Sequence, residues 1–272
     1  MTVVCHFCPP KRFRQLTKIY HYTKLATAIE HILPKMKLRT GSLHGMNDPK
    51  ENQPWAFGGR NVNYVVMYPE TYSQVNHIDH QYKFGNDIKS SCQIICFVKD
   101  KPEKGFKNEI MWAHYADNHK GLCLELDAEL FIEENKEYLT EYVFESVTYG
   151  QHEKPFIASD FELTKEQAIQ KIVKACYKDL FLRKSDYWEK ENEQRLLIFD
   201  KNQKYLSISE SLTGLYFGLQ MDDNYRPSVD RFVDEKQTHL FNLYYEKNKL
   251  KVMETDKNDF RPIITKKFLK GE

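Results

Sequence analysis

The chain has 272 residues, and its 40 basic and 39 acidic side chains leave a net charge of +1. That balance excludes a general electrostatic affinity for nucleic acid or membrane surfaces, so polynucleotide binding would need a local patch. An apolar content of 41% with 14% aromatics excludes a disordered polymer.

Residues 1–16, with Cys5, Cys8, two prolines and a basic run, read as a loosely attached arm before a single domain over 17–272. The compact part opens with a short aromatic strand, Ile19 to Thr23. Ala26, Ile29 and Ile32 then recur at helical spacing, which predicts a helix over 24–33 that ends before Pro34. Met36 to Arg39 alternates as a strand, and Asn47-Asp48-Pro49 is a turn by composition. Residues of about 50–90 form an insertion with one helix or strand near Tyr64 to Tyr68.

Ile94 to Val98 reads as a buried strand, Met111 to Tyr115 as a short helix, and Gly121 to Leu126 and Val143 to Tyr149 as further strands. Between Leu163 and Leu182 the apolar residues fall on one helical face. Strands follow at Leu196 to Phe199, Tyr205 to Ile208 and Leu215 to Phe217, then a helix around Gln237 to Tyr245 and a strand at Leu250 to Met253. Helices and strands mix without regular alternation, which predicts an α+β fold. The six cysteines are scattered, the pattern of reduced thiols. No secretory apolar segment or window of about 20 apolar residues appears, so the expectation is a cytoplasmic protein without a membrane partner.

Trp188-Glu189-Lys190-Glu191-Asn192-Glu193-Gln194-Arg195 sets two carboxylates two residues apart before an apolar strand. If pairing begins at Glu191, the period-2 rule aims Glu191 and Glu193 at one face, with Arg195 beside them to hold Glu193 ionised. A solvated charged loop is the plain alternative. His21 has a face to itself, since Tyr20 and Tyr22 point the other way. It suits a ribose hydroxyl or a carboxamide, or else a simple bond to backbone. Trp112 and Tyr115, three residues apart on a helix, can cover one patch and stack on a planar ring, or pack the core. Asn47 and Asp48 are a ligand loop only if they fold over His21. Cys5 and Cys8 resemble half a zinc site with no second half at usual spacing, so no metal is expected. Glycine-rich nucleotide loops, nucleophile elbows and metalloprotease motifs are absent.

Taken in order, Tyr20-His21-Tyr22-Thr23, Leu38-Arg39, Ser42-Leu43, Met46-Asn47-Asp48-Pro49 and Glu51 resemble the opening of a bacterial family of unknown function. Met111-Trp112-x-His114-Tyr115-Ala116, His119 to Leu124 and Trp188-x-x-Glu191-x-Glu193-x-Arg195 extend the resemblance over 17–51, 92–126 and 184–218. That family is similar to the ADP-ribosyltransferase superfamily. The resemblance implies a split β-sandwich with a cleft that grips NAD. His21 would sit on the first strand to hold the nicotinamide ribose, with Tyr22 beside it. Glu193 would bind the 2′-hydroxyl and stabilise positive charge, and Glu191 would orient or deprotonate the acceptor. Arg39 is a candidate for the pyrophosphate by charge and place. Two departures stand out: Ser90-Ser91-Cys92 occupies the place of a Ser-Thr-Ser strand, and the tyrosine spacing of the diphtheria-toxin-like branch is missing.

Three readings stay open. The first is an NAD-dependent ADP-ribosyltransferase or NAD glycohydrolase acting on a macromolecular target, in a toxin or anti-phage defence role. The second is a catalytically silent nucleotide- or nucleic-acid-binding module, and the third an NAD-independent nuclease or glycosidase using the paired carboxylates. The first requires the His21 imidazole and the Glu193 carboxylate to meet across one hollow.

Overall fold

The computed structural model describes residues 18–44, 46–53, 55, 77–100, 102–150, 163–233 and 237–257. The arm with Cys5 and Cys8 and the run near Tyr64 to Tyr68 lie outside them. The strands are β1 (Lys18–Thr23), β2 (Lys37–Arg39), β3 (Gln93–Lys99), β4 (Leu122–Asp127), β5 (Tyr142–Ser146), β6 (Thr148–Tyr149), β7 (Arg183–Lys184), β8 (Glu193–Ile198), β9 (Tyr205–Ser207), β10 (Leu212–Phe217), β11 (His239–Glu246) and β12 (Lys249–Thr255). The helices are α1 (Leu25–Thr27), which runs into a π turn over Ala28–Ile32, α2 (Pro49–Asn52), α3 (His77–Ser90), α4 (Glu109–Tyr115), α5 (Ala128–Glu134), α6 (Lys165–Phe181) and α7 (Arg226–Asp230). None of them is long and apolar enough to cross a membrane.

Among the described residues, eight strands join one sheet in the order β12-β11-β10-β4-β1-β3-β8-β5, while β2–β9 and β6–β7 form two small sheets. Within the large sheet only β10–β11 is parallel. This is the mixed α+β architecture that the sequence predicts. The described strands make one broad sheet, where the resemblance leads one to expect a split sandwich.

Both faces of the sheet are covered, which is why β3 and β8 read as near-continuous apolar runs. Register assigns the faces. His21 pairs with Leu124, and Ile19 with Leu126 and Lys99, which puts both on the first face beside Phe97, Ile95 and Leu196. That face packs against the π turn, α5, Leu38 and Leu206 in the largest apolar cluster. On the second face Tyr20 lies opposite Val98, and Val98 opposite Glu193. Two separate clusters cover this face. Tyr20, Tyr22, Trp112, Cys123 and Tyr216 form one. Trp55, Phe84, Ile172, Phe181 and Leu197 form the other.

Local chemistry accounts for most elements. Thr164 and Gln167 close a capping box at the head of α6, whose apolar stripe meets the sheet. The helix expected around Gln237 to Tyr245 is corrected: the segment is strand β11. Glu246 pairs with Lys249 across a two-residue loop, and Lys247 and Asn248 both have positive φ, 47° and 59°. Such a turn matches strand twist and commits both flanks to a hairpin, overriding the helical spacing. Helix α3 lies over His77–Ser90, where the sequence predicts no helix.

Gly105, in the turn before α4, lies flat on the Tyr20 ring, and a Cβ there would stand 2.1 Å from Tyr20 Cδ2. Its carbonyl also accepts from the Tyr22 hydroxyl at 2.6 Å. Tyr20 has little room to yield, because it packs edge-on to Phe106 and Tyr216. Gly105→Ala is therefore expected to cost about 1 to 3 kcal/mol. A lowered urea midpoint with an unchanged m-value would show it, and an unchanged midpoint would refute the packing.

Candidate functional site

The acid pair is assembled by a change of backbone and not by strand alternation. Asp186–Glu191 is a 3-10 helix, Asn192 follows in the left-handed region (φ 52°), and the strand begins at Glu193. The expectation of Glu191 and Glu193 on one strand face is corrected accordingly. The turn at Asn192 still brings both carboxylates to one ammonium: Lys184 Nζ donates to Glu191 Oε2 at 2.5 Å and to Glu193 Oε2 at 3.3 Å.

Arg195 is the centre of this arrangement. Its side chain is fully buried. It donates to Glu193 through Nε (2.8 Å) and Nη2 (3.0 Å), and to Glu51 through Nη1 (2.6 Å) and Nη2 (3.1 Å). Nη1 also donates to the Phe181 carbonyl at the end of α6, at 2.7 Å. Lys89, equally buried, donates to the carbonyls of Glu51 and Gln53 and stands 4.8 Å from the centre of the Trp55 ring. Tyr115 donates its hydroxyl to Glu191 Oε1 at 2.9 Å. Three carboxylates and three cations are thus withdrawn from water together, which offsets charge within the cluster. Neither a solvated loop nor an open acid pair describes it.

The two acids differ in proton affinity. Burial raises that of Glu193, but Arg195 and then Lys184 outweigh it and hold the carboxyl down to about 2. Glu191 is raised, because its burial outweighs the attraction of Lys184. Burial lowers Lys184, yet Glu193 and Glu191 together more than restore it. Burial brings Lys89 down to about 8 against the opposing pull of Glu51. Two carboxylates on one ammonium are therefore driven to opposite sides of their usual range.

The other expected site residues are dispersed. His21 is on the first face, with Nδ1 3.1 Å from the Cys96 carbonyl and its ring edge-on to Phe97 at 5.9 Å. Burial lowers its proton affinity. It is a neutral histidine bonded to backbone, and the sheet itself separates it from Glu193. Their meeting in one hollow is corrected: strand alternation places residues on opposite faces when their registers differ by one. Tyr22 and Trp112 belong to the core, ring against ring at 5.1 Å, with the indole N–H donated to the Phe106 carbonyl. Arg39 is exposed on the small β2–β9 sheet. Asn47 is exposed, but Asp48 is buried and accepts from the Ser185 amide, which fastens the Asn-Asp-Pro turn beside Lys184. Tyr115 reaches the acids. Glu51, two residues beyond that turn, belongs to the quoted motif but is given no site role by the sequence; Lys89 and Lys184 carry no motif.

A cleft of about 750 Å³ opens beside the head of β8. It is lined by the turn before α4, by Val147 and Tyr149, and by Glu189, Lys190 and Asn192 next to the acids in sequence. Lys104 on its rim is paired with Asp100 and Lys99 with the Ser146 hydroxyl. Lys107 and Lys190 have no carboxylate partner among the described residues. Tyr149 stands between cleft and cluster, its hydroxyl oxygen accepting from the Glu193 amide at 2.8 Å. Among the described residues no group of three or more metal-ligating side chains converges.

Residues 111–196 match a protein family described as a protein of unknown function, DUF2971. The matched span carries Tyr115, Lys184, Glu191, Glu193 and Arg195, and it excludes His21, Glu51 and Lys89. No curated protein matches the chain, and no solved structure does.

The proton affinities fix a pH dependence. Glu193 titrates near 2 folded and near 4.3 unfolded, so its contribution is complete above the unfolded value and is lost as pH falls from about 4.5 towards 2. Glu191 has the opposite sign, its ionisation opposing folding as pH rises. Glu193→Gln should therefore be less stable than wild type at pH 7, on the order of 3 kcal/mol, with the gap closing below pH 4.5. Glu191→Gln should show no such closing gap. Urea midpoints across pH 7 to 2.5 measure this, and a gap for Glu193→Gln that stays constant would contradict the pairing.

Proposed function

We propose that the chain binds a dinucleotide of the NAD type in the cleft at the head of β8. The observation that carries this reading is a mixed rim: Lys107 and Lys190 on one hand and Glu103 and Glu189 on the other, none with an ionic partner among the described residues. NAD has the matching pattern, an anionic pyrophosphate and a cationic pyridinium ring, which lysines and glutamates would divide between them. The volume falls within the range of about 300 to 1,000 Å³ usual for small-molecule sites. An ADP-ribosyltransferase-like fold is the finer architectural reading that accompanies this proposal. The roles once given to His21 and Arg39 pass to cleft residues.

Turnover is a second reading, favoured by the divergent acids directly behind the cleft. The bond from the nicotinamide nitrogen to the ribose carbon would break, its electron pair leaving with nicotinamide, and an oxygen of water or of a macromolecule would bond to that carbon. Glu191, the acid with the raised proton affinity, would exchange the acceptor's proton. Binding ranks above turnover here, because the charge of Glu193 is already neutralised by Arg195 and Lys184 and both acids are closed off from solvent. No observation favours the nuclease or glycosidase reading.

Titration calorimetry with NAD tests binding. The Lys107→Ala, Lys190→Ala double variant should lose about tenfold or more in affinity, and added salt should weaken the wild type. Equal affinity in the double variant, or no heat with wild type, overturns the reading. Release of free nicotinamide that disappears in Glu191→Gln would raise turnover above simple binding.

A further inference from the structure

Tyr149 is placed where the cleft meets the buried charges, and half of its hydroxyl is committed. The oxygen accepts the Glu193 amide hydrogen at 2.8 Å. A phenol has one hydrogen to donate as well. Among the described residues that hydrogen has no acceptor, although the side chain is half-buried and lines the cleft. Three polar side chains in or next to the cleft are spoken for: Ser146 donates to Gln194, Lys99 donates to Ser146, and Asn108 donates to the carbonyls of Lys190 and Glu191. A donor held in place by its own oxygen, on the wall of a cleft, has its direction set before any ligand arrives.

We infer that Tyr149 is a ligand contact, donating its phenolic hydrogen to an oxygen of the molecule in the cleft while its own oxygen stays on the Glu193 amide. The inference rests on the reading of the cleft as a dinucleotide site, and it specifies that site: the ligand presents an acceptor oxygen, of a phosphate or a ribose, at the Tyr149 wall. Burial pushes the phenol well above its ordinary range, against the smaller opposing effect of the Glu193 amide, so the hydrogen is retained at any physiological pH. Because a hydroxyl that donates becomes a better acceptor, ligand capture also tightens the bond to Glu193. Occupancy of the cleft is thereby communicated to the first residue of β8, whose side chain is held by Arg195 and Lys184.

Two probes, NAD and inorganic pyrophosphate, are titrated into wild type and Tyr149→Phe, with urea midpoints recorded for both proteins without ligand. The phenylalanine orphans the Glu193 amide and lowers stability under any structural role, so the midpoint does not decide; affinity does. Tyr149→Phe is expected to bind NAD about five- to tenfold more weakly. Equal affinity for NAD would remove Tyr149 from the site and leave the dinucleotide reading standing. If wild type binds pyrophosphate but not NAD, and Tyr149→Phe weakens pyrophosphate, the dinucleotide reading falls and the Tyr149 contact holds. Binding of neither probe by wild type overturns both. Should the variant fail to fold, amide exchange in wild type gives the answer: ligand should slow exchange at Glu193, and unchanged exchange at saturating ligand refutes the contact.

Discussion

The Arg195 guanidinium is the constraint on which the second face of the sheet depends. A cation taken wholly out of water is tolerable only when every donor finds an acceptor and its charge is met. Glu193, Glu51 and the Phe181 carbonyl provide this, from β8 itself, from α2 and from the end of α6. Three elements distant in sequence are thus fixed against one planar group. The bidentate fork fixes angle as well as distance, which a lysine at the same place would not do.

The position of the cluster explains why it is ionic. It lies in the seam between the Tyr20–Trp112 cluster and the Trp55–Phe181 cluster, two apolar masses on one sheet face. Lys184 bridges to Glu191 and lies 5.0 Å from the centre of the Trp188 ring, while Lys89 ties Glu51 and Gln53 to Trp55. Directional bonds across such a seam set the relation between the two halves, where apolar contact would allow sliding. The same bonds separate the acids. Glu193 receives most of the positive charge and stays ionised, whereas Glu191 keeps one ammonium and a tyrosine hydroxyl and is left with the desolvation cost. The asymmetry follows from which acid stands next to the guanidinium.

Much of this was legible in the sequence, and the failures have physical causes. Buried central strands such as β1, β3, β4 and β8 announce themselves because both faces are covered, and α6 because its stripe and cap agree. The pairing of Arg195 with Glu193 was legible too, since residues two apart on a strand share a face. Two things were not. A face is relative to the partner strand, so nothing in Tyr20-His21-Tyr22 says which side holds His21; register does, and register is non-local. Nor does local pattern give roles to Glu51, Lys89 or Lys184: Glu51 meets a guanidinium more than a hundred residues away, Lys89 holds the backbone of Glu51 and Gln53, and Lys184 meets the two acids. The turn at Lys247-Asn248 lacks the glycine that usually signals such a hairpin, which is why helical spacing misled there.

The family match over 111–196 has to be read against the same topology. It contains β4, β5 and most of β8, yet β1 and β3 lie between β4 and β8 in the sheet. Those matched strands cannot pair into a continuous sheet by themselves, because the strands that join them come from residues 18–99. The charge cluster repeats the pattern: the span brings Arg195 but not Glu51, which would leave the guanidinium with half its carboxylate partners in an apolar seam. A buried guanidinium with donors left unmet is among the costlier defects a fold can carry. The matched span is therefore the part of a larger cooperative unit in which the acids, Tyr115 and Tyr149 lie. What residues 18–55 and 77–99 contribute is the means to keep those groups together: two strands to complete the sheet, and one carboxylate to complete the guanidinium.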